Sequence, residues 1–597
     1  MYSFTRPYRA WLSTACCVAL AILAGCARQP TLPVAPAQEK VTPTGPVVPG
    51  LPPAHATKAP TSVPDAELPK QDLTETILYE FLLAEVAGQR GNIGLSAQAY
   101  ADLARRTRDP RIARRATEIA VYARMSNAAI ESARIWHETD PQSQRALQSL
   151  AGLLANAGRF DEAQPYLQKL LASGGDPGAA FLQLNRTLDA ATDKSAALAL
   201  VQRLAEDNSQ LPQAHFAVAQ AAANAENHEL ALAEIRRAQK LKPDWEAAVL
   251  LEAQLLQRGS NAKALERLAQ FLERYPKSRD VRLNYARSLV AEKRFADARA
   301  EFQKLVADYP TNTEVIFAVA LLSLQLNDYA MAEGNLKHLL ELDYRDKAIV
   351  RMYLGQIAED QKHFPEALRW YSEVDEGEQY LPAQIRYAQV LAKQGKLGDA
   401  RKHLHEISVS NEQQRVQLLL ADAQILREAN QPKEAFDLLA KALGDLPDNP
   451  DLLYDYAMLA EKIDRVDVLE ISLKKLIKLR PDNAHAYNAL GYSLADRNLR
   501  LGEARDLIDK ALKLAPDDAF ILDSMGWVYY RLGNSQEALK YLRRAFAGRP
   551  DPEIAAHLGE VLWMTGERTE AEKLLQDSIQ KYPGNEDLNS TLTRLKP

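Results

Sequence analysis

Two stretches of this 597-residue sequence hold residue types that covalent or metal chemistry uses. Gly491-Tyr492-Ser493-Leu494-Ala495 sets a serine among small residues, and His403, His405 and Glu406 bring two imidazoles and a carboxylate close together. A nucleophile elbow needs a strand before the serine and a sharp turn at it. Here the apolar spacing on both sides is helical, so Ser493 is expected mid-helix. Residues two apart on a helix diverge, so His403 and His405 do not make the four-residue pair that zinc takes. No phosphate-cradling glycine loop, dinucleotide fingerprint or calcium-loop spacing is present. The expectation is a chain with no catalytic residue, no metal site and no cofactor. A net charge of -6 offers no global argument for nucleic acid.

The cysteines carry a different chemistry. Cys16, Cys17 and Cys26 all lie near the start, so the long remainder has no disulfide framework or thiolate metal site. Arg6 and Arg9 precede an apolar run from Trp11 to Ala24, too short for a comfortable membrane span and arranged as in a secretory signal. The run ends Leu23-Ala24-Gly25-Cys26, which resembles the lipobox of bacterial lipoproteins. That resemblance implies removal of residues 1–25 and acylation of Cys26 with palmitate-type chains. Several acyl chains on one residue anchor stably where one would not. Ala27 stands where an Asp would signal inner-membrane retention, which implies the Gram-negative outer membrane, facing the periplasm. Residues 26–72 then form a tether dense in proline, from Pro30, Pro33 and Pro36 through Pro60, Pro64 and Pro69. Such a segment is extended rather than helical and reaches on the order of 100 Å at about 3.1 Å per residue.

From Leu73 the pattern becomes helical and repetitive. Prolines close successive units at Pro243, Pro276 and Pro310, and again at Pro447, Pro481, Pro516, Pro550 and Pro583, a spacing of about 34 residues. In the clearest unit Leu522, Met525, Gly526 and Tyr529 share one helix face, Gly533-Asn534 breaks the chain, and Ala538, Leu542 and Ala545 share a second. Leu558, Gly559, Leu562, Ala571 and Leu575 repeat this, as do Tyr487, Leu490, Gly491, Leu494, Ala504, Ile508 and Ala511, with an extra residue around Arg500–Gly502 that predicts a looser turn. These positions resemble the tetratricopeptide repeat (TPR). The resemblance implies an all-α solenoid over residues 73–597, of about fifteen helical hairpins stacked into a right-handed superhelix with a concave face. Ten to twelve are clear. The segments before Pro141 and from Gly174 to Leu211 depart from the signature, and Asn585–Leu595 is expected to be a last, polar-faced helix.

Two groups stand out for binding. TPR geometry assigns Asn488, Tyr492, Trp527, Tyr530, Arg531, Trp563 and Met564 to the groove side of the last three units, where aromatics anchor partner peptides or proteins. Alternatively, Trp527 and Trp563 pack between repeats as core. Arg105, Arg106, Arg108, Arg111, Arg114 and Arg115 form a basic docking patch around Asp109-Pro110. It suits an acidic protein surface or lipid headgroups, unless Asp102, Asp109 and Glu118 pair it off.

The segment Leu78 to Arg124, LYEFLLAEVAGQRGNIGLSAQAYADLARRTRDPRIARRATEIAVYAR, taken with the lipobox and the long array, resembles the outer-membrane lipoprotein adaptors of the LbcA type. That resemblance implies a protein that binds and activates a periplasmic carboxyl-terminal processing protease and presents substrates such as cell-wall hydrolases to it. The protease would do the chemistry. The alternative is a scaffold of an envelope assembly for polysaccharide secretion or peptidoglycan synthesis.

Overall fold

A computed structural model describes residues 69, 71–173, 176–188 and 193–596. Cys26, the leader 1–25 and nearly all of the tether 26–72 lie outside the described residues. The described residues form 31 helices and no strand, the all-α fold that the TPR resemblance implies. Contacts group them into two compact units.

The first unit, within Val18–Leu326, runs from α1 (Glu75–Gln89), α2 (Ile93–Thr107), α3 (Pro110–Tyr122) and α4 (Ser126–Thr139) to α15 (Thr313–Gln325). It includes two stretches whose repeat signature is faint. Their helices form through local signals: Thr74, Asn92 and Asp109 cap α1, α2 and α3 with side-chain oxygens, and Pro110 takes the first turn of α3. Ala97, Tyr100, Leu103, Ala104, Ala113, Ala116 and Ile119 fill the space between them.

The second unit, within Asn327–Pro597, opens with α16 (Tyr329–Glu341) and continues through seven hairpins to a final helix, α31 (Glu586–Leu595). Its best hairpin pairs α27 (Ala519–Arg531) with α28 (Ser535–Gly548). The turn between them needs a left-handed residue, which Gly533 supplies at φ 82°. Asn534 then caps α28 by accepting from the Glu537 N–H. Leu522, Met525, Ala538, Leu542 and Ala545 are buried, and Tyr529 stacks on Tyr541 with ring centroids 5.6 Å apart.

Small residues set how closely paired helices approach. A Cβ at Gly526 would lie 2.6 Å from Leu542 Cγ, and one at Gly491 would lie 2.9 Å from the Ala504 carbonyl oxygen. In the unit formed by α25 (Ala484–Asp496) and α26 (Leu501–Leu514), the extra residue is absorbed by two left-handed positions, Asn498 at φ 56° and Arg500 at φ 43°. The turn is longer, but the helices keep their register.

Candidate protein-binding surface on the last three repeats

The first helices of the last three hairpins are α25, α27 and α29 (Pro552–Met564). One face of each meets the next. Trp527 of α27 stacks on His557 of α29, centroids 4.2 Å apart and planes 22° from parallel. His557 Nδ1 lies 2.9 Å from Asp523 Oδ2, and Nε2 lies 3.4 Å from the Tyr492 hydroxyl, which donates to Glu553 Oε1 at 3.4 Å. Burial by itself pushes the imidazole down, but the charge and hydrogen bond of Asp523, with the Glu553 charge, hold it up, to about 9. At neutral pH His557 is therefore an imidazolium, donating from Nδ1 to Asp523 and from Nε2 towards Tyr492. Burial raises the Glu553 carboxyl, to about 7. Asp523 Oδ1 and Trp527 Nε1–H find no hydrogen-bond partner among the described residues.

These contacts decide where the seven groove-side residues lie. Asn488, Tyr492 and Trp527 are 4, 4 and 5% exposed. For Asn488 and Tyr492 the expected exposure is corrected, the helix face that carries them being covered, while Trp527 takes the alternative of packing as core, covered by the His557 ring. Tyr530, Arg531 and Trp563 are half-buried, and Met564 is 63% exposed. Tyr530 donates to Glu560 Oε1 at 3.5 Å, and Arg594 of α31 pairs with Glu560. Arg531 sits 5.9 Å from the Trp527 ring and Arg568 5.4 Å from the Trp563 ring. The accessible part of the site is thus Tyr530, Arg531, Trp563 and Met564, resting on a rigid base of Trp527, His557, Asp523 and Tyr492. Amphipathic aromatics beside cations, held at little entropic cost, are recognition chemistry.

Sequence reasoning missed Asp523, Glu553 and His557. The signal available was polarity at covered positions: Asp523 lies four residues before Trp527, and Glu553 four before His557, on helices that are mostly apolar.

The arginine patch is neutralised locally. Arg105 meets Glu131 at 2.8 Å and also Asp102, Arg106 meets Glu80 at 3.2 Å, and Arg108 meets Glu138 at 2.6 Å. Arg111 meets Asp109 at 2.7 Å, while Arg114 and Arg115 meet Glu118 at 2.9 and 3.9 Å. A partner would have to compete with those carboxylates. His403 and His405 diverge as their spacing predicts, His403 to Gln384 Oε1 and His405 to Asp422 Oδ2, each at 2.9 Å. No cluster suited to a metal ion occurs among the described residues. Ser493 lies within α25, its hydroxyl 2.8 Å from Arg497 Nη1.

Stacked helical hairpins with close-packed small residues, presenting side chains on successive first helices, define a repeat-solenoid scaffold. Tetratricopeptide-repeat signatures match residues 146–180, 255–322, 318–380, 472–519 and 524–586. The TPR repeat-containing protein PA4667 of Pseudomonas aeruginosa is 36% identical over 518 residues, covering 86% of each chain. The chain belongs to this TPR repeat-containing protein family. The cellulose synthase operon protein C of Pseudomonas fluorescens is 27% identical over 467 residues, 68% of this chain but 34% of that one. Among solved structures, a TPR protein of Thermus thermophilus is 24% identical over 30% of this chain and 97% of its own, and the APC/C hetero-tetramer Cut9–Hcn1 is 15% identical over 82% and 97%. Both superpose at a TM-score of 0.28, too loosely to bear on the binding surface.

Proposed function

We propose that this chain is a lipid-anchored adaptor of the Gram-negative outer membrane that binds a periplasmic carboxyl-terminal processing protease, activates it and presents protein substrates such as cell-wall hydrolases. The observation that carries the protein-binding role is the accessible strip Tyr530, Arg531, Trp563 and Met564, mounted on a buried aromatic and ionic base. The choice of protease rests on the resemblance of Leu78–Arg124, and the anchor on Leu23-Ala24-Gly25-Cys26. Tethering protease and substrate to one scaffold raises their effective concentration for each other, which accelerates cleavage with no catalytic group on the scaffold. A second reading, a scaffold for polysaccharide secretion or peptidoglycan synthesis, is favoured by the likeness to the cellulose synthase operon protein.

Affinity capture of the lipidated chain from envelopes separates the two. A processing protease in the eluate, accelerated when purified and mixed with this chain, supports the adaptor. Synthases or export channels in its place refute it and support the second reading.

A further inference from the structure

The two ends of the array are finished differently. The last helix, α31, exposes Glu586, Asn589, Ser590, Thr593 and Arg594, the polar outer face that a terminal repeat requires for solubility. The first helix among the described residues, α1, exposes Tyr79 (65%), Leu82 (52%), Leu78 (44%) and Val86 (42%). Aligning the turn Gly91-Asn92 with Gly533-Asn534 sets Tyr79, Leu82 and Val86 against Ile521, Ser524 and Val528 of α27, each fully buried. The same positions of α25, Ala486, Ala489 and Ser493, are buried too. A face that is covered inside the stack is therefore bare on α1, yet keeps large apolar side chains.

The carboxylates of this helix do not interrupt the face. Glu80 turns to Arg106, and Glu85 accepts from the Tyr100 hydroxyl.

The face is complementary to itself. Leu78, Leu82 and Val86 recur every four residues with Leu82 at the centre. In an antiparallel pair about a two-fold axis at Leu82, Leu78 of one copy meets Val86 of the other and the two Leu82 side chains meet each other. The same register brings exposed Glu75 near the end of one helix to exposed Gln89 and Arg90 at the end of the other, twice over. Charge and apolar pattern thus agree on one pairing, in the symmetry commonest among homo-oligomers. We propose that the exposed face of α1 binds the α1 face of a second copy, joining two solenoids head to head. This inference goes beyond the adaptor reading and does not depend on the protease.

The test uses the full chain in the cell envelope. Leu82→Cys places a thiol on the axis, where Cα atoms within about 7 Å permit a disulfide. A reducible dimer is expected for Leu82→Cys and neither for Thr76→Cys, which points away from the axis, nor for the unsubstituted chain, which controls for Cys26. Sedimentation of the purified chain should show a monomer–dimer equilibrium that Leu82→Glu weakens by about tenfold or more, by facing two like charges in an apolar contact, with helicity unchanged. Absence of the Leu82 crosslink, or a wild-type chain that stays monomeric at every concentration, overturns the proposal. Binding of α1 to another protein or to a lipid surface in place of a second copy would appear as that same monomer.

Discussion

The same substitution, glycine to alanine, should have opposite effects at two helical positions. Gly334 lies in the middle of α16 and is exposed, with open space where a Cβ would point. Alanine there removes the backbone freedom of glycine from the unfolded chain, a gain of about 1 kcal/mol. Gly491 lies in the middle of α25, where a Cβ would sit 2.6 Å from Ile508 Cγ1 and 2.9 Å from the Ala504 carbonyl oxygen. Ile508 could rotate, but Ala504 O is backbone in the first turn of α26, so the helices must part by several tenths of an ångström. Overpacking against a backbone atom that cannot turn aside costs about 2–3 kcal/mol, the upper part of the usual range, which exceeds the propensity gain of about 1 kcal/mol and leaves Gly491→Ala destabilising by about 1–2 kcal/mol. Repeat arrays open in parts, so the assay is hydrogen exchange resolved by peptide. Protection across α25 and α26 should fall roughly tenfold, since about 1.4 kcal/mol is a factor of ten, with α1 to α4 unaffected, while Gly334→Ala raises protection in α16. Equal or greater protection of α25 in Gly491→Ala would refute the close-approach argument.

Replacing Cys26 with Ala should move the protein from the outer-membrane fraction to the soluble periplasm; retention in the membrane fraction would remove the lipid anchor from the proposal. Trp563→Ala with Met564→Glu should weaken protease binding by about tenfold or more, as for contacts central to an interface, with the circular dichroism unchanged; undiminished affinity on titration would exclude this strip. Trp527→Ala should instead act on folding, at about 3–5 kcal/mol for a large buried aromatic, seen as lost exchange protection in α27 and α29. Glu470 is held down, to about 2, by hydrogen bonds from Arg500 and Lys474. Because its folded value is below the ordinary 4.5, its contribution is present above that pH and lost as pH falls towards 2. Acid titration of local stability around Arg500 should show this loss, and Glu470→Gln should abolish it.

Where each repeat closes was readable from local chemistry. Gly533-Asn534 and the prolines at Pro516 and Pro550 mark turns whatever surrounds them, because a left-handed residue and a missing N–H act within a few bonds. The near-invariant small residue at Gly491, Gly526 and Gly559 likewise announces a close helix contact before any coordinate is known. Even the looser turn at Arg500 was legible as one residue too many. The α1–α4 and Pro177–Glu206 helices were less so, since their residues depart from the repeat signature and only single caps such as Asp109 and Asp193 mark where they begin.

What a helical wheel cannot supply is the identity of the neighbour. Trp527 and Met564 were assigned to one binding face by their place in the repeat, yet His557 covers the first and solvent meets the second. Asp102, Asp109 and Glu118 pair with the arginines as their nearness in sequence allows, whereas Glu80 of α1 and Glu131 and Glu138 of α4 are brought to them only by the packing of the helices. The spacing of the apolar residues of α1 does not tell a covered face from an exposed one. Periodicity and turn chemistry are properties of adjacent residues, so the sequence by itself determined the hairpins and their family. Burial and charge compensation depend on which helices meet, and only the tertiary structure decided those.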